Sequence, residues 1–400
     1  MAMGNGAAAQ QITPQQQNTL ARAAVIRQGV DMTLPIFTRT YSATNGDGPG
    51  SVISLPPRNV GLIKRFYVEV SGLITPAGTA TRTALGGGNF FSSVIFTDLS
   101  NQQRISTTAW HLHAVASAKR RRPFSAAIAL DEPDSFTAPT RQSNAFGYGN
   151  ANSAVSLPAT ISAATPFRLF FEIPLAYHDH DLRGSIYANV TNATMNLQLT
   201  VNNQLFTTAG ARNVQRGMYS SAGAMTLTNF TITIYQNFLD QLPISQQGGA
   251  VLPLLDLSTA YELKNTAVTG NAVNQDNPIP YSNFRDFMST LVIYDDPTEF
   301  NDVTSSITSW SLQSANYTNI FKMDPYMNYV LSRGVIGDDF PLGSYYFDYR
   351  NKPVSTIQYG NMQLLANPNT VTDNQSNFLV GFEALALINM ITQAGSLYGS

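Results

Sequence analysis

No cysteine occurs among the 400 residues. That excludes a disulfide framework, a thiolate nucleophile and any Cys-based zinc or iron–sulfur site. Charge is scarce as well: Asp, Glu, Lys and Arg make up 12% of the chain, against roughly 25% in ordinary soluble domains. Asn, Gln, Ser and Thr carry the polarity instead. Such a surface is hydrated yet weakly self-repelling, which suits packing against copies of itself. No run approaches about 18 consecutive apolar residues, so no helical membrane span is expected. Met1 to Gln11 is polar and Ala-rich, without a charged start or an apolar run, and does not read as a secretory signal. Common reaction signatures are missing too: there is no Gly-x-Ser-x-Gly elbow, no Walker loop and no Gly-x-Gly-x-x-Gly between strand and helix.

What is present suits two domains, since 400 residues exceed one ordinary core. A chain of this size can bury roughly 75% of its unfolded surface, so it needs no staple. Charge is uneven along it. Residues 1–122 hold 12 Lys/Arg and 4 Asp/Glu, a net of +8, while the rest carries −10. One end is thus expected to face something anionic. The middle, Asp240 to Tyr261, holds Pro243, Gly248, Gly249 and Pro253, which interrupt regular structure without making a long tether. It reads as a hinge between two similar β-domains.

Taken in order, Thr13 is placed to cap a helix, Pro14 suits its first position, Gln16 closes a capping box and Gly29 ends it. This helix over 14–28, about 22 Å long, carries Arg22 and Arg27 without a clean apolar stripe and reads as a docking arm. Strands are expected over Val52–Leu55, Gly61–Val70, Phe90–Phe96, Pro166–Pro174, Met195–Asn202 and Met225–Phe238. Ala109–Arg121 reads as a helix, with a short helical turn after Asp181. The second half echoes the first in four places. Leu252–Leu255 matches Leu34–Phe37, and Phe284–Tyr294 matches Leu62–Val70. Tyr345–Phe347 matches Leu169–Phe171, and Asn361–Leu365 matches Met195–Leu199. Asp324–Gly334 reads as a capped helix and Asn377–Leu387 as the last strand. The expected organisation is an arm (1–33), a first jelly roll (34–240), a hinge (241–253), a second jelly roll (254–390) and a tail (391–400). The fold class is all-β, two tandem eight-stranded sandwiches with a few short helices.

The four histidines form two pairs, His111-Leu-His113 and His178-Asp-His180. Such a pair on a strand could bind metal, and tandem jelly rolls invite comparison with bicupin enzymes. No carboxylate follows His113 at the spacing a cupin needs, and on a helix His111 and His113 point about 200° apart. His178 and His180 read as polar residues at the start of a short helix. Asp295-Asp296 and Asp338-Asp339 read as solvated turn acids. Lys119–Arg122 reads as a solvated helix end, with anionic lipid as the alternative and nucleic acid disfavoured, since no basic stripe with interleaved aromatics occurs. No catalytic, cofactor or metal residue is assigned. A metal-dependent bicupin-like enzyme and a carbohydrate-binding β-sandwich remain as alternatives to a structural protein.

Phe238-Leu-Asp-Gln-Leu-Pro243, followed by Leu252-Pro-Leu-Leu-Asp-Leu-Ser-Thr259, resembles the major capsid protein of tectiviruses, tailless phages with a membrane inside the shell. Asn59-Val-Gly61, Trp110-His-Leu-His113, Pro174-Leu-Ala-Tyr177, Asp339-Phe-Pro341 with Tyr345-Tyr346, and Asn351-Lys-Pro353 with Gln358-Tyr-Gly-Asn361 extend the resemblance over nearly the whole chain. It implies two jelly rolls side by side in a tight homotrimer, a six-sided block that tiles an icosahedral shell around an internal membrane. It also implies a place in the virion after synthesis in the host cytoplasm. Implied partners are neighbouring capsomers, minor vertex and cementing proteins, and the membrane through the termini. No cofactor and no specific nucleic acid are implied. Thr13, Pro14, Arg22 and Arg27 would then belong to an arm touching lattice or membrane. Deleting residues 1–29 should spare the trimer and impair shell closure.

Overall fold

The computed structural model describes residues 24–83, 85–120, 157, 160–189, 193–208, 216–242, 244–247, 250–253, 259–270, 272–295, 307–336, 343–369 and 377–387. Eight strands build the body of the first half, each of four or more residues: β1 Val30–Ser42, β2 Val52–Leu55, β3 Leu62–Pro76, β4 Phe91–Thr97, β5 Gln103–Thr107, β6 Thr165–Pro174, β7 Asn196–Val201 and β8 Met225–Asp240. They make two facing sheets, ordered β1-β8-β3-β6 and β2-β7-β4-β5. Eight more follow: β9 Thr259–Thr269, β10 Asn277–Pro280, β11 Arg285–Asp295, β12 Ile307–Ser314, β13 Phe321–Met323, β14 Ser344–Asp348, β15 Met362–Pro368 and β16 Asn377–Leu387. Their orders are β9-β16-β11-β14 and β10-β15-β12-β13. Each strand of the second half thus takes the place of the strand eight earlier, and both halves are jelly rolls.

Alternation of side chains builds each core. Along β8, Phe230, Ile232 and Ile234 are buried while Thr231, Thr233 and Tyr235 face outward, the period of two that a half-buried strand requires. Leu197, Leu199 and Val201 do the same on β7. These side chains meet Phe66, Val68 and Val70 of β3 in the first core. A second core gathers Trp310, Tyr345, Phe347 and Phe378, with the Trp310 and Tyr345 ring centres 4.9 Å apart. Outside the first core, Thr40 and Thr231 share a 2.8 Å hydroxyl contact across β1 and β8, a cross-strand pair of the kind that fixes register.

Two helices occupy corresponding places, α1 (Ala109–Arg120) after β5 and α2 (Pro325–Ile336) after β13. Asp324 caps α2 by accepting the Met327 N–H at 2.7 Å, the N-terminal signal expected of it. The helix then runs through Gly334 to Ile336 rather than stopping at the glycine, since a single glycine costs a helix only about 1 kcal/mol. The turn of helix expected after Asp181 is instead a tight hairpin. His178 N–H donates to Asp181 O at 2.9 Å, Asp181 N–H returns to His178 O at 3.1 Å, and Tyr177 N–H reaches Arg183 O at 2.9 Å. Regular structure also enters the segment 241–253, where Ile244–Gln247 pairs with Ala250–Pro253. Gly-Gly between two extended runs is a hairpin signal, which a reading of these glycines as plain breakers passes over. Three of the four sequence echoes fall on corresponding strands, β3/β11, β6/β14 and β7/β15. The fourth does not: Leu252-Pro253 lies in the added hairpin, whereas the counterpart of β1 is β9.

Candidate functional site

The two jelly rolls meet along a seam. β5 runs parallel to β9, with Ile105 opposite Leu263 and Ser106 opposite Lys264, which fuses one sheet of each half into a single sheet. Pairing these strands consumes two edges that would otherwise be open. Over the seam lies α1, apolar on two faces. Ala109, Leu112 and Val115 enter the first core, while Trp110, Ala114 and Ala118 cluster with Leu291, Ile293 and Tyr346 of the second half. His111 is wholly buried, its Nδ1 2.7 Å from Thr107 Oγ1. The same hydroxyl donates to Asn265 Oδ1 across the seam at 2.7 Å. A methyl group at Gly381 would stand 2.6 Å from the His111 ring, so glycine is what admits the imidazole. Burial lowers His111 to about 4, the Arg350 charge adding to the effect while Glu383 and Asn265 oppose it.

Beside His111 sits an ionic cluster assembled from both halves. Glu383 of β16 is fully buried. Arg350 reaches its Oε2 at 2.5 Å and Lys119 of α1 its Oε1 at 3.3 Å. Ser289 Oγ donates to Oε2 at 2.6 Å and Tyr261 OH to Oε1 at 2.8 Å. Lys119 also donates to Tyr177 O at 2.7 Å and to Tyr261 OH at 2.9 Å, and its ammonium lies 4.3 Å from the Tyr261 ring centre. Burial pushes the Glu383 carboxyl up, but Arg350, Lys119 and the two hydroxyls outweigh it and hold the group at about 2. Burial brings Lys119 down to about 8 against the pull of Glu383. A carboxylate at about 2 is a poor base, so the Ser289–Glu383 contact orients the seam and does not activate a nucleophile. Every lone pair of the buried carboxylate has a donor, the condition under which a buried charge is tolerated.

A second crossing lies on the far side of α1. Arg216 of the first half pairs with Asp295 of the second. They line a cleft of about 370 Å³ shared with Trp110, Phe91, Ile293 and Leu379.

Of the arm residues singled out in the sequence, Thr13, Pro14 and Arg22 lie outside the described residues, and Arg27 is exposed on a helical segment at 24–28. Gly29 follows that segment, donating its N–H to Val25 O at 2.9 Å. His178 and His180 sit together at the hairpin tip, rings 5.4 Å apart. Among the described residues no three His, Asp or Glu side chains converge to hold a metal ion. Lys119 is neither a solvated helix end nor a lipid contact: the second half covers it, because Glu383 requires a cation there. Asp295 is likewise buried in its ion pair and is not a solvated turn acid. No motif in the sequence marks the seam residues Lys119, Tyr261, Ser289, Arg350 and Glu383 as a set. One signal points to them, a lone carboxylate inside the apolar run Phe378-Leu-Val-Gly-Phe-Glu-Ala-Leu385, since a buried acid demands partners.

Two family models cover this chain, P3 major capsid protein N-terminal over residues 1–242 and P3 major capsid protein C-terminal over residues 258–397. Among curated proteins it is similar to Major capsid protein P3 of Enterobacteria phage PRD1, 35% identical over 408 residues, covering 97% of this chain and 98% of the relative. Among solved structures it is similar to a protein of Sulfolobus Turreted Icosahedral Virus, with TM-score 0.61 and 13% identity over 92% of this chain and 96% of the other. PBCV-1 VP54 follows the same fold, with TM-score 0.53 and 12% identity over 90% of this chain and 94% of the other. These two likenesses concern the fold alone. A shell protein is a structural relative and not a catalytic one, so the bicupin-like and carbohydrate-binding readings are set aside. With both halves matched and the curated relative aligned from end to end, the chain belongs to the P3 major capsid protein family.

Proposed function

We propose that this major capsid protein works as a homotrimer, a pseudo-hexagonal capsomer that tiles an icosahedral shell around an internal membrane. The observation that carries the reading is the repetition of one strand order in two jelly rolls fastened side by side. Three such chains present six similar walls, so a threefold object fits a sixfold position in a lattice. The sealed seam keeps the two walls at a fixed angle, which a tile requires. Low surface charge favours broad contacts between copies, with obligate interfaces above about 2,000 Å². Neighbouring capsomers then join through weaker edges. Minor vertex and cementing proteins fill the remaining gaps, and the termini reach the membrane. The arm bearing Thr13, Pro14, Arg22 and Arg27 adds positive charge on that side. Synthesis takes place in the host cytoplasm and the finished protein resides in the virion.

Native mass measurement of the purified chain, with electron microscopy of the same sample, tests this. A stable species of three chains seen as six-sided blocks is expected. A monomer in solution and in particles would end the proposal.

A further inference from the structure

Because the halves are built alike, residues of one can be matched to residues of the other through strand pairing. Corresponding irregularities anchor the match. β3 skips at Lys64, between the pairs Ile63–Phe238 and Arg65–Asn237. β11 skips at Met288, between Phe287–Ala384 and Ser289–Glu383. Counting from these bulges, Tyr67 corresponds to Leu291, Glu69 to Ile293 and Glu172 to Tyr346. Thr233 then corresponds to Leu379 and Tyr235 to Gly381. The helices match as well. Each has 12 residues, and the bonds Leu112 N–H to Thr108 O and Asn328 N–H to Asp324 O are both 3.2 Å.

The two helices differ in what covers them. On α1, Trp110, His111, Ala114 and Ala118 are at most 5% exposed, sealed by the second jelly roll. Their counterparts on α2 are Tyr326, Met327, Val330 and Gly334. The first three are 62%, 48% and 61% exposed, and nothing lies within 4 Å of a methyl group placed on Gly334. Leu331, 48% exposed, widens this apolar face. Contiguous exposed apolar surface of this kind marks a contact site.

We infer that a second copy of this chain covers it. The outer face of that copy's first jelly roll receives α2 as Leu291, Ile293, Tyr346, Leu379 and Gly381 receive α1. The receiving residues, Tyr67, Glu69, Glu172, Thr233 and Tyr235, are partly buried, and their two carboxylates are already neutralised within the chain, Glu69 by Arg168 and Glu172 by Arg65. Tyr67 is already stacked on Phe170 at 5.4 Å, which stiffens the surface. Donor and acceptor faces differ, so the contact is head-to-tail and ends only when a ring closes. The inference rests on the trimer reading: six helix-on-sheet contacts alternate, three within chains and three between them. The matching positions also differ in charge. Val335 takes the place of Lys119 and Asn237 that of Glu383. The triad of buried carboxylate, guanidinium and ammonium thus belongs to the permanent seam.

The test compares the wild-type protein, Met327→Glu/Val330→Asp, and an Ile357→Asp control that alters another exposed apolar residue, by sedimentation with far-UV circular dichroism. The double variant should keep the wild-type spectrum and sediment at one third of the wild-type mass, while the control stays trimeric. Because the chain has no cysteine, Met327→Cys/Tyr235→Cys adds a direct probe. A short bismaleimide should give covalent trimers, and Met327→Cys alone none. A double variant that remains trimeric, or a trimer that fails to cross-link through this pair, overturns the assigned surface and leaves the trimer standing. A monomeric wild-type protein overturns the trimer itself.

Discussion

Glu383 is the residue on which the seam turns. It stands alone among the apolar side chains of β16, and four donors from four separate parts of the chain converge on it. Removing one member of a buried ion pair costs about 3–5 kcal/mol, because the partner charge is left without an answer. Glu383→Gln strands both Arg350 and Lys119, so a loss of that order is expected in denaturant titration at neutral pH. The pH profile adds a second signature. Glu383 is held at about 2 against an ordinary 4.5, so its contribution is complete above pH 4.5 and disappears as pH falls toward 2. His111, lowered from 6.5 to about 4, acts earlier: the unfolded chain takes up its proton below 6.5 and the folded one does not, so stability declines from 6.5 to 4. Wild-type stability should therefore fall in two steps on acidification. Glu383→Gln should lose the lower step and keep the upper. A variant whose profile parallels the wild type throughout would show that the carboxylate is not the group responsible.

At the scale of elements, strands announced themselves where one face is buried and the other wet. Val52–Leu55 and Asn377–Leu387 have in the structure the bounds that their side-chain patterns predict. β3 runs six residues past Val70 to Pro76, because Ser71 and Gly72 look like breakers while the cross-strand partners of β6 and β8 hold them extended. Tertiary pairing of that sort leaves no local trace. The hairpin at 178–184 was missed for a related reason: its acids cap equally well at a turn or a helix start, and what decides is a long-range contact. Gly184 has φ +87°, and a methyl group there would sit 2.7 Å from Leu175 O and from Tyr261 N. The glycine thus lets the first jelly roll touch β9. Gly46, with φ +78°, has nothing within 4 Å. Left-handed backbone at a non-glycine residue costs about 1–3 kcal/mol, and Gly184→Ala adds a clash at the seam. Its denaturation midpoint should drop well beyond that of Gly46→Ala. Equal losses would mean that the seam yields freely at this point.

The whole molecule joins a rigid two-walled body to terminal segments whose role is read from sequence, and the boundary between them determines how the arm can be tested. Val25 is fully buried with Leu62, Leu182 and Leu239 in a small cluster beneath the first jelly roll. A deletion of residues 1–29 would strip Val25 away and re-expose those leucines. Unburying one such side chain costs about 1.5–3 kcal/mol, so a closure defect from that deletion would be confounded with a weakened body. Cutting after residue 23 keeps the Val25 contact while removing Thr13, Pro14 and Arg22. The shortened chain should match full-length protein in native mass and denaturation midpoint, since no contact among the described core residues is lost. On the proposal that the arm adds a link to lattice or membrane, assembly of this truncation should give open or malformed shells. Closed particles of normal size from this truncation would dismiss the arm as a lattice element. A fall in native mass would instead place residues 1–23 within the capsomer, as part of what holds three chains together.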